Sequence, residues 1–138
     1  KETAYELFRE IFPICRHLTN ENLSFVIMLL ECDEYRIPPE SIGKKKNRRG
    51  RLSVLDRIPT ALIDEIHINC PEDWEQLIPC LFEKDYTTAD LAARANIPRE
   101  TASMALSALF RGGIVSRTGK KGGAFTYRFF RQTEYYRD

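Results

Sequence analysis

A chain of 138 residues accommodates one domain or two very small ones, and 43% apolar with 30% charged residues excludes a disordered tail or a low-complexity filament. The longest uninterrupted apolar run, Phe25–Leu30, is far short of the ~20 residues that cross a bilayer, so no membrane association is expected. Net charge is only +1, yet six of the 21 basic residues lie within 44–51 and six more within 111–131, both stretches free of acids. The other nine basic residues face all 20 acids, a net of −11, so positive surface is concentrated where a polyanion can meet it.

No secretory pattern opens the chain, which starts at Lys1 rather than methionine. A cytoplasmic protein, trimmed or taken from a longer chain, is the expectation. Four cysteines, Cys15, Cys32, Cys70 and Cys80, are widely spaced without a Cys-x-x-Cys pair, which argues against a disulfide scaffold. Cys15, His17, His67 and Cys70 would make a chemically acceptable zinc set. Cys-x-His is a poor local chelate, however, and the two pairs stand 50 residues apart, so neither a metal nor another cofactor is expected.

Residues 3–17 place Ala4, Leu7, Phe8, Ile11 and Phe12 on one side at helical spacing, with Thr3 as a cap and Pro13 as a stop or kink. Leu23–Ile37 is rich in strand formers and ends in a charged tip. After Pro38-Pro39 come Lys44, Lys45, Lys46, Arg48, Arg49 and Arg51, then two strand-like pieces at 51–58 and 62–68, interrupted around Pro59-Thr60. The first piece is expected to pair antiparallel with 23–36, which makes the basic segment the tip of a long hairpin. Glu31, Asp33 and Glu34 invite comparison with metal-dependent nucleases, but the Glu-x-Lys step of such sites is absent and a solvated strand end is the expectation. Asp56-Arg57 reads as a structural ion pair.

From Pro71 the pattern sharpens. Pro71, Glu72 and Asp73 suit a helix start, Trp74, Leu77 and Ile78 share an apolar face, and Pro79 limits the helix. Thr88 is the expected cap of a short helix carrying Leu91, Ala92 and Ala95 inward. Asn96-Ile97-Pro98 makes a turn, and a second helix runs from Arg99 to Arg111, stopped by Gly112-Gly113. Small residues at Ala92 and Ala102 let the helices approach closely. Strands at 114–118 and 124–129 follow, joined by Gly119–Gly123.

The succession TTADLAARANIPRETASMALSALFRGGIVSRTGKKGGAFTYR resembles the winged helix-turn-helix superfamily over about 72–130. The full layout is similar to bacterial proteins in which a strand-rich segment precedes a C-terminal winged helix. The resemblance implies that the second helix lies in a DNA major groove while the hairpin reaches phosphate or the minor groove. It places Arg99, Thr101, Ser103 and Ser107 on the reading helix, with Glu100 as a repulsive neighbour. Arg117, Lys120, Lys121 and Arg128 would neutralise phosphates, and the six cations of 44–51 would add accessory phosphate contacts.

The expected fold class is α+β. A small helix and strand-pair subdomain (1–70) with Phe8, Phe12, Phe25 and Ile27 in its core precedes a winged helix (71–131), built on Trp74, Leu77, Leu91, Leu106 and Leu109, and a tail at 132–138. The expected function is non-catalytic binding of double-stranded DNA, as a transcriptional regulator or the targeting module of a larger protein. A protein-interaction module and a metal-dependent nuclease are the alternatives. The apolar strand and the terminal FFRQTEYYRD suit a homodimer.

Overall fold

The computed structural model describes residues 3–37, 53–78 and 84–129. Helices and two small antiparallel sheets place the chain in the mixed α and β class. The helix α1 (Leu7–Ile11) is flanked by 3-10 turns at Ala4–Glu6 and Phe12–His17. Strands β1 (Phe25–Ile37) and β2 (Ser53–Ile68) form one two-stranded sheet. A 3-10 helix at Pro71–Leu77 leads to α2 (Thr88–Ala95), α3 (Arg99–Arg111) and the second sheet, β3 (Val115–Lys121) with β4 (Ala124–Phe129).

Several local expectations are corrected. The α-helix stops at Ile11, just before Pro13 as expected, but the path continues as a 3-10 segment with Pro13 in its first turn, where a missing N–H costs nothing. Thr3 holds the cap position through its backbone carbonyl, which accepts from Glu6 N at 3.1 Å, and its side chain makes no cap bond. β2 is a single strand through Pro59 rather than two pieces. In a two-stranded ribbon every second N–H points away from the partner, so a proline is accommodated without losing a ladder bond.

Two compact units emerge, with boundaries that differ from the expected break at residue 70: residues 1–27 with 66–138, and residues 28–65. The reason lies in Trp74, which is fully buried with its ring centroid 5.7 Å from Phe8 and 5.6 Å from Phe25. The two cores expected from the sequence are therefore one. Phe8, Ile11, Ile27, Ile68, Trp74, Leu91, Leu106 and Leu109 belong to the same buried cluster, with Phe12 and Phe25 packed on it. Tyr5 reinforces this union by donating its hydroxyl hydrogen to the Leu77 carbonyl, and its burial raises the phenol pKa. α3 is the centre of the first unit, touching α1, the Phe12–His17 segment, α2 and β3.

The second unit holds the β1–β2 ribbon from Met28 to Glu65. Its cross-strand contacts step in opposite directions along the two strands, as an antiparallel pair requires: Arg57 Nε reaches Glu34 at 2.9 Å, and Thr60 Oγ1 donates to the Glu31 carbonyl at 3.2 Å. Glu34 also pairs with Arg36, and the two arginines hold its carboxyl below the usual range. The expected basic tip at 44–51 and the tail at 132–138 lie outside the described residues. Among the described residues no helix is long and apolar enough to cross a membrane.

Candidate nucleic-acid interface

Local chemistry fixes each boundary of the α2–α3 pair. Thr87, not Thr88, is the cap of α2: its hydroxyl accepts from Asp90 N at 3.3 Å while Asp90 Oδ2 accepts from Thr87 N at 2.9 Å. The third helical position decides this, because only Thr87 has an acid three residues on. Asn96 closes α2 in the left-handed conformation (φ 53°), and buried Ile97 leads into α3. The fully buried Ala102 and Ala105 belong to the inner face of α3, where small side chains permit close approach to α2.

The C-terminus of α3 is a Schellman motif. Gly113, at φ 77°, donates to the Phe110 carbonyl at 3.1 Å, and Ile114 N donates to the Leu109 carbonyl at 2.9 Å. Gly112 has a different role: a Cβ there would stand 2.7 Å from the Cys15 carbonyl oxygen and 2.8 Å from Leu18 Cδ1. The glycine lets the N-terminal segment lie directly on the end of α3.

α3 consequently has one buried side, one side turned toward the N-terminal segment and one open strip. Glu100, Thr101 and Met104 line a shallow groove with Tyr5, Glu6 and Arg9, and the Arg111 guanidinium lies 5.1 Å from the Phe12 centroid. At 100° per residue, Arg99, Ser103, Ser107 and Phe110 fall within one quarter of the helix circumference, adjoining that groove at Glu100 and far from Thr101. Arg99 and Ser103 are exposed, and Ser107 and Phe110 are half-buried. Thr101 is thereby separated from the other three expected contact residues, whereas the exposed Glu100 stands beside Ser107 at the edge of the strip.

β3 and β4 turn back through a two-residue loop, Gly122-Gly123, with φ values of 58° and 85°. Positive φ at both central positions is the requirement of a tight hairpin turn. The expected five-residue link is thus shorter, and Lys120 and Lys121 belong to β3. A register shift between Arg117 and Gly119 sets Arg117 opposite Tyr127 and Lys120 opposite Phe125, so these four share a face. Lys121, opposite Ala124, points to the other side. A further backbone pair, Tyr86 with Tyr127 at 3.1 and 2.8 Å, ties β4 to the residue preceding the α2 cap.

That hairpin face meets the open strip of α3 at Phe110. The Arg117 guanidinium lies over both Phe110 and Phe125, 4.1 Å from each centroid, and its Nε donates to Tyr127 Oη at 3.4 Å. Lys120 Nζ stands 4.9 Å from the Phe125 centroid. Arg128, by contrast, is engaged by Asp85, with Nε at 3.0 Å and Nη2 at 2.9 Å from the same carboxylate oxygen. Its charge is locally neutralised. Phe110, Phe125 and Tyr127 were missed as site residues, although aromatics interleaved with cations over 110–128 were a visible signal.

The acidic residues elsewhere do not assemble. Among the described residues no three His, Cys, Asp or Glu side chains gather closely enough to hold a metal ion. Cys15 is buried, whereas Cys32 and Cys70 are exposed free thiols. Asp73 accepts from Asn69 N at 2.8 Å and Cys70 N at 3.2 Å, and these bonds hold its carboxyl below the usual range.

Comparison with known proteins matches residues 1–69, half of the chain, to the family described as Domain of unknown function (DUF8091). The chain belongs to that family. No curated protein and no solved structure matches it.

Proposed function

We propose that the first unit is a winged helix-turn-helix that binds double-stranded DNA without catalysis, α3 entering the major groove and the β3–β4 hairpin serving as the wing. The observation that carries this reading is the continuous strip from Arg99 through Ser103 and Ser107 to Phe110, where it meets the hairpin face bearing Arg117 and Lys120. No acid occurs in 111–131. Arg99, at the first turn of α3, offers two parallel donors to a guanine edge or a phosphate. Ser103 and Ser107 are short donors suited to backbone oxygens, which position a protein without reading sequence. Titrating the protein with duplex DNA at several salt concentrations tests the reading. Affinity should fall linearly on a log–log plot, and failure to bind at low salt would leave an interaction module in its place.

A second reading, self-association, draws on a separate observation. Among the described residues nine large hydrophobics are exposed, and seven of them lie on the β1–β2 ribbon, including Met28 at 57% and Ile63 at 64% exposure. A two-stranded ribbon is marginal alone and gains from a partner. Sedimentation measures this: a homodimer should dissociate in a Met28→Lys, Ile63→Lys variant, and a monomer at high concentration opposes the reading.

A further inference from the structure

We infer that the hairpin face built around Phe125 is a stacking site for an unpaired nucleobase, so that the protein prefers DNA with an overhang or a frayed end to a blunt duplex. The inference rests on the nucleic-acid reading above and names a feature of its ligand. Phe125 is 40% exposed, and it and Ile14 are the described large hydrophobics exposed outside the ribbon. A ring serving only the core would be covered, as Tyr127 and Phe129 are on the same strand.

Its neighbours give the exposed ring a chemical character. Arg117 lies over the ring, 4.1 Å from its centroid, and Lys120 Nζ lies over it at 4.9 Å, so the aromatic surface carries two cations that a base and its phosphate can engage. This is the combination that single-stranded nucleic acid uses: a π surface for the base and nearby positive charge for the backbone. Arg117 is already ordered by Phe110 and by the bond from its Nε to Tyr127 Oη, so little freedom is lost when its remaining N–H groups meet phosphate. Lys120 is on a flexible stem and can leave the ring for a phosphate as the base arrives. Paired bases do not offer their faces, so a blunt duplex engages the charges but not the ring.

The test compares a blunt duplex, the same duplex with a short single-stranded overhang carrying 2-aminopurine, and a single strand, each titrated against wild type, Phe125→Leu and Phe125→Trp. Leucine retains an apolar side chain and removes the π surface; tryptophan restores it. Wild type should bind the overhang duplex about five- to tenfold more tightly than the blunt one and quench the 2-aminopurine. Phe125→Leu should lose both effects, its affinities for blunt and overhang duplexes becoming equal, and Phe125→Trp should retain them. Equal affinity of wild type for blunt and overhang duplexes, or a preference that persists in Phe125→Leu, overturns the stacking site while leaving duplex binding intact. Failure to bind any of the three DNAs overturns both.

Discussion

Replacing Lys120 and Lys121 together with serine removes two hairpin cations that make no ion pair among the described residues, whereas Arg128 a few positions away is held by Asp85 at 2.9–3.0 Å. The two substitutions should therefore behave differently, although the sequence places all three residues in the same role. Each phosphate neutralised contributes about −0.9 to the slope of log affinity against log salt, and only Lys120 of the two shares the face of Arg117, so the double variant should flatten the slope by about 0.9. Between about 50 and 200 mM salt, wild type should lose about 3.5-fold more affinity than the double variant. Arg128→Ser should change the slope by less than about 0.4, because its charge already has a partner. Fluorescence anisotropy with one labelled duplex measures all three proteins, and circular dichroism checks that each is folded. An unchanged slope in the double variant, or a full phosphate's change in Arg128→Ser, would refute the assignment of the hairpin's charges.

Three predictions concern the scaffold. Thr87→Ala breaks the reciprocal cap with Asp90 and should cost about 1 kcal/mol in chemical denaturation, while Thr88→Ala should cost less. Gly112→Ala drives a Cβ toward the Cys15 carbonyl and Leu18, and should destabilise by about 1–3 kcal/mol as the N-terminal segment is pushed off α3. Asp73 has a folded-state pKa below its unfolded value, so its contribution is present above the ordinary carboxylate pKa and lost as pH falls through the depressed one. Carboxyl-carbon NMR should find Asp73 titrating below ~3.9, and Asp73→Asn should weaken the acid dependence of stability.

The parts of the fold legible in the sequence are those with punctuation of their own. Asn96-Ile97-Pro98 and Gly112-Gly113 bracket α3 at Arg99 and Arg111, as its periodicity indicates. Thr87 and Thr88 differ only in what lies three residues on, which explains the one-residue error at the α2 cap. Pro59 misled because proline interrupts a central strand, and the sequence does not state that β2 has a single neighbour.

The division of the chain was illegible for a different reason. Phe8 and Trp74 are 66 residues apart in sequence, and no local pattern tells that their rings pack 5.7 Å apart. The same holds for the candidate site. Helical spacing separates Arg99, Ser103 and Ser107 from the buried side of α3, but only the N-terminal segment, by covering the side with Thr101 and Met104, leaves that strip open. The register shift that brings Arg117, Phe125 and Lys120 to one face is likewise a property of the paired strands. The family match ends at residue 69, just after β2, whereas the strip and hairpin lie in the C-terminal half.

The most direct test of the account is an amide NMR titration of the labelled protein with duplex DNA, which reports where on the molecule the duplex sits. The largest shifts should fall at Arg99, Ser103, Ser107, Arg117 and Lys120, with the ribbon residues Met28–Leu30 and Leu62–Ile63 unmoved. Saturable shifts confined to the ribbon, or no shifts at low salt, would contradict the claim that the open strip of α3 and the adjoining hairpin face bind double-stranded DNA.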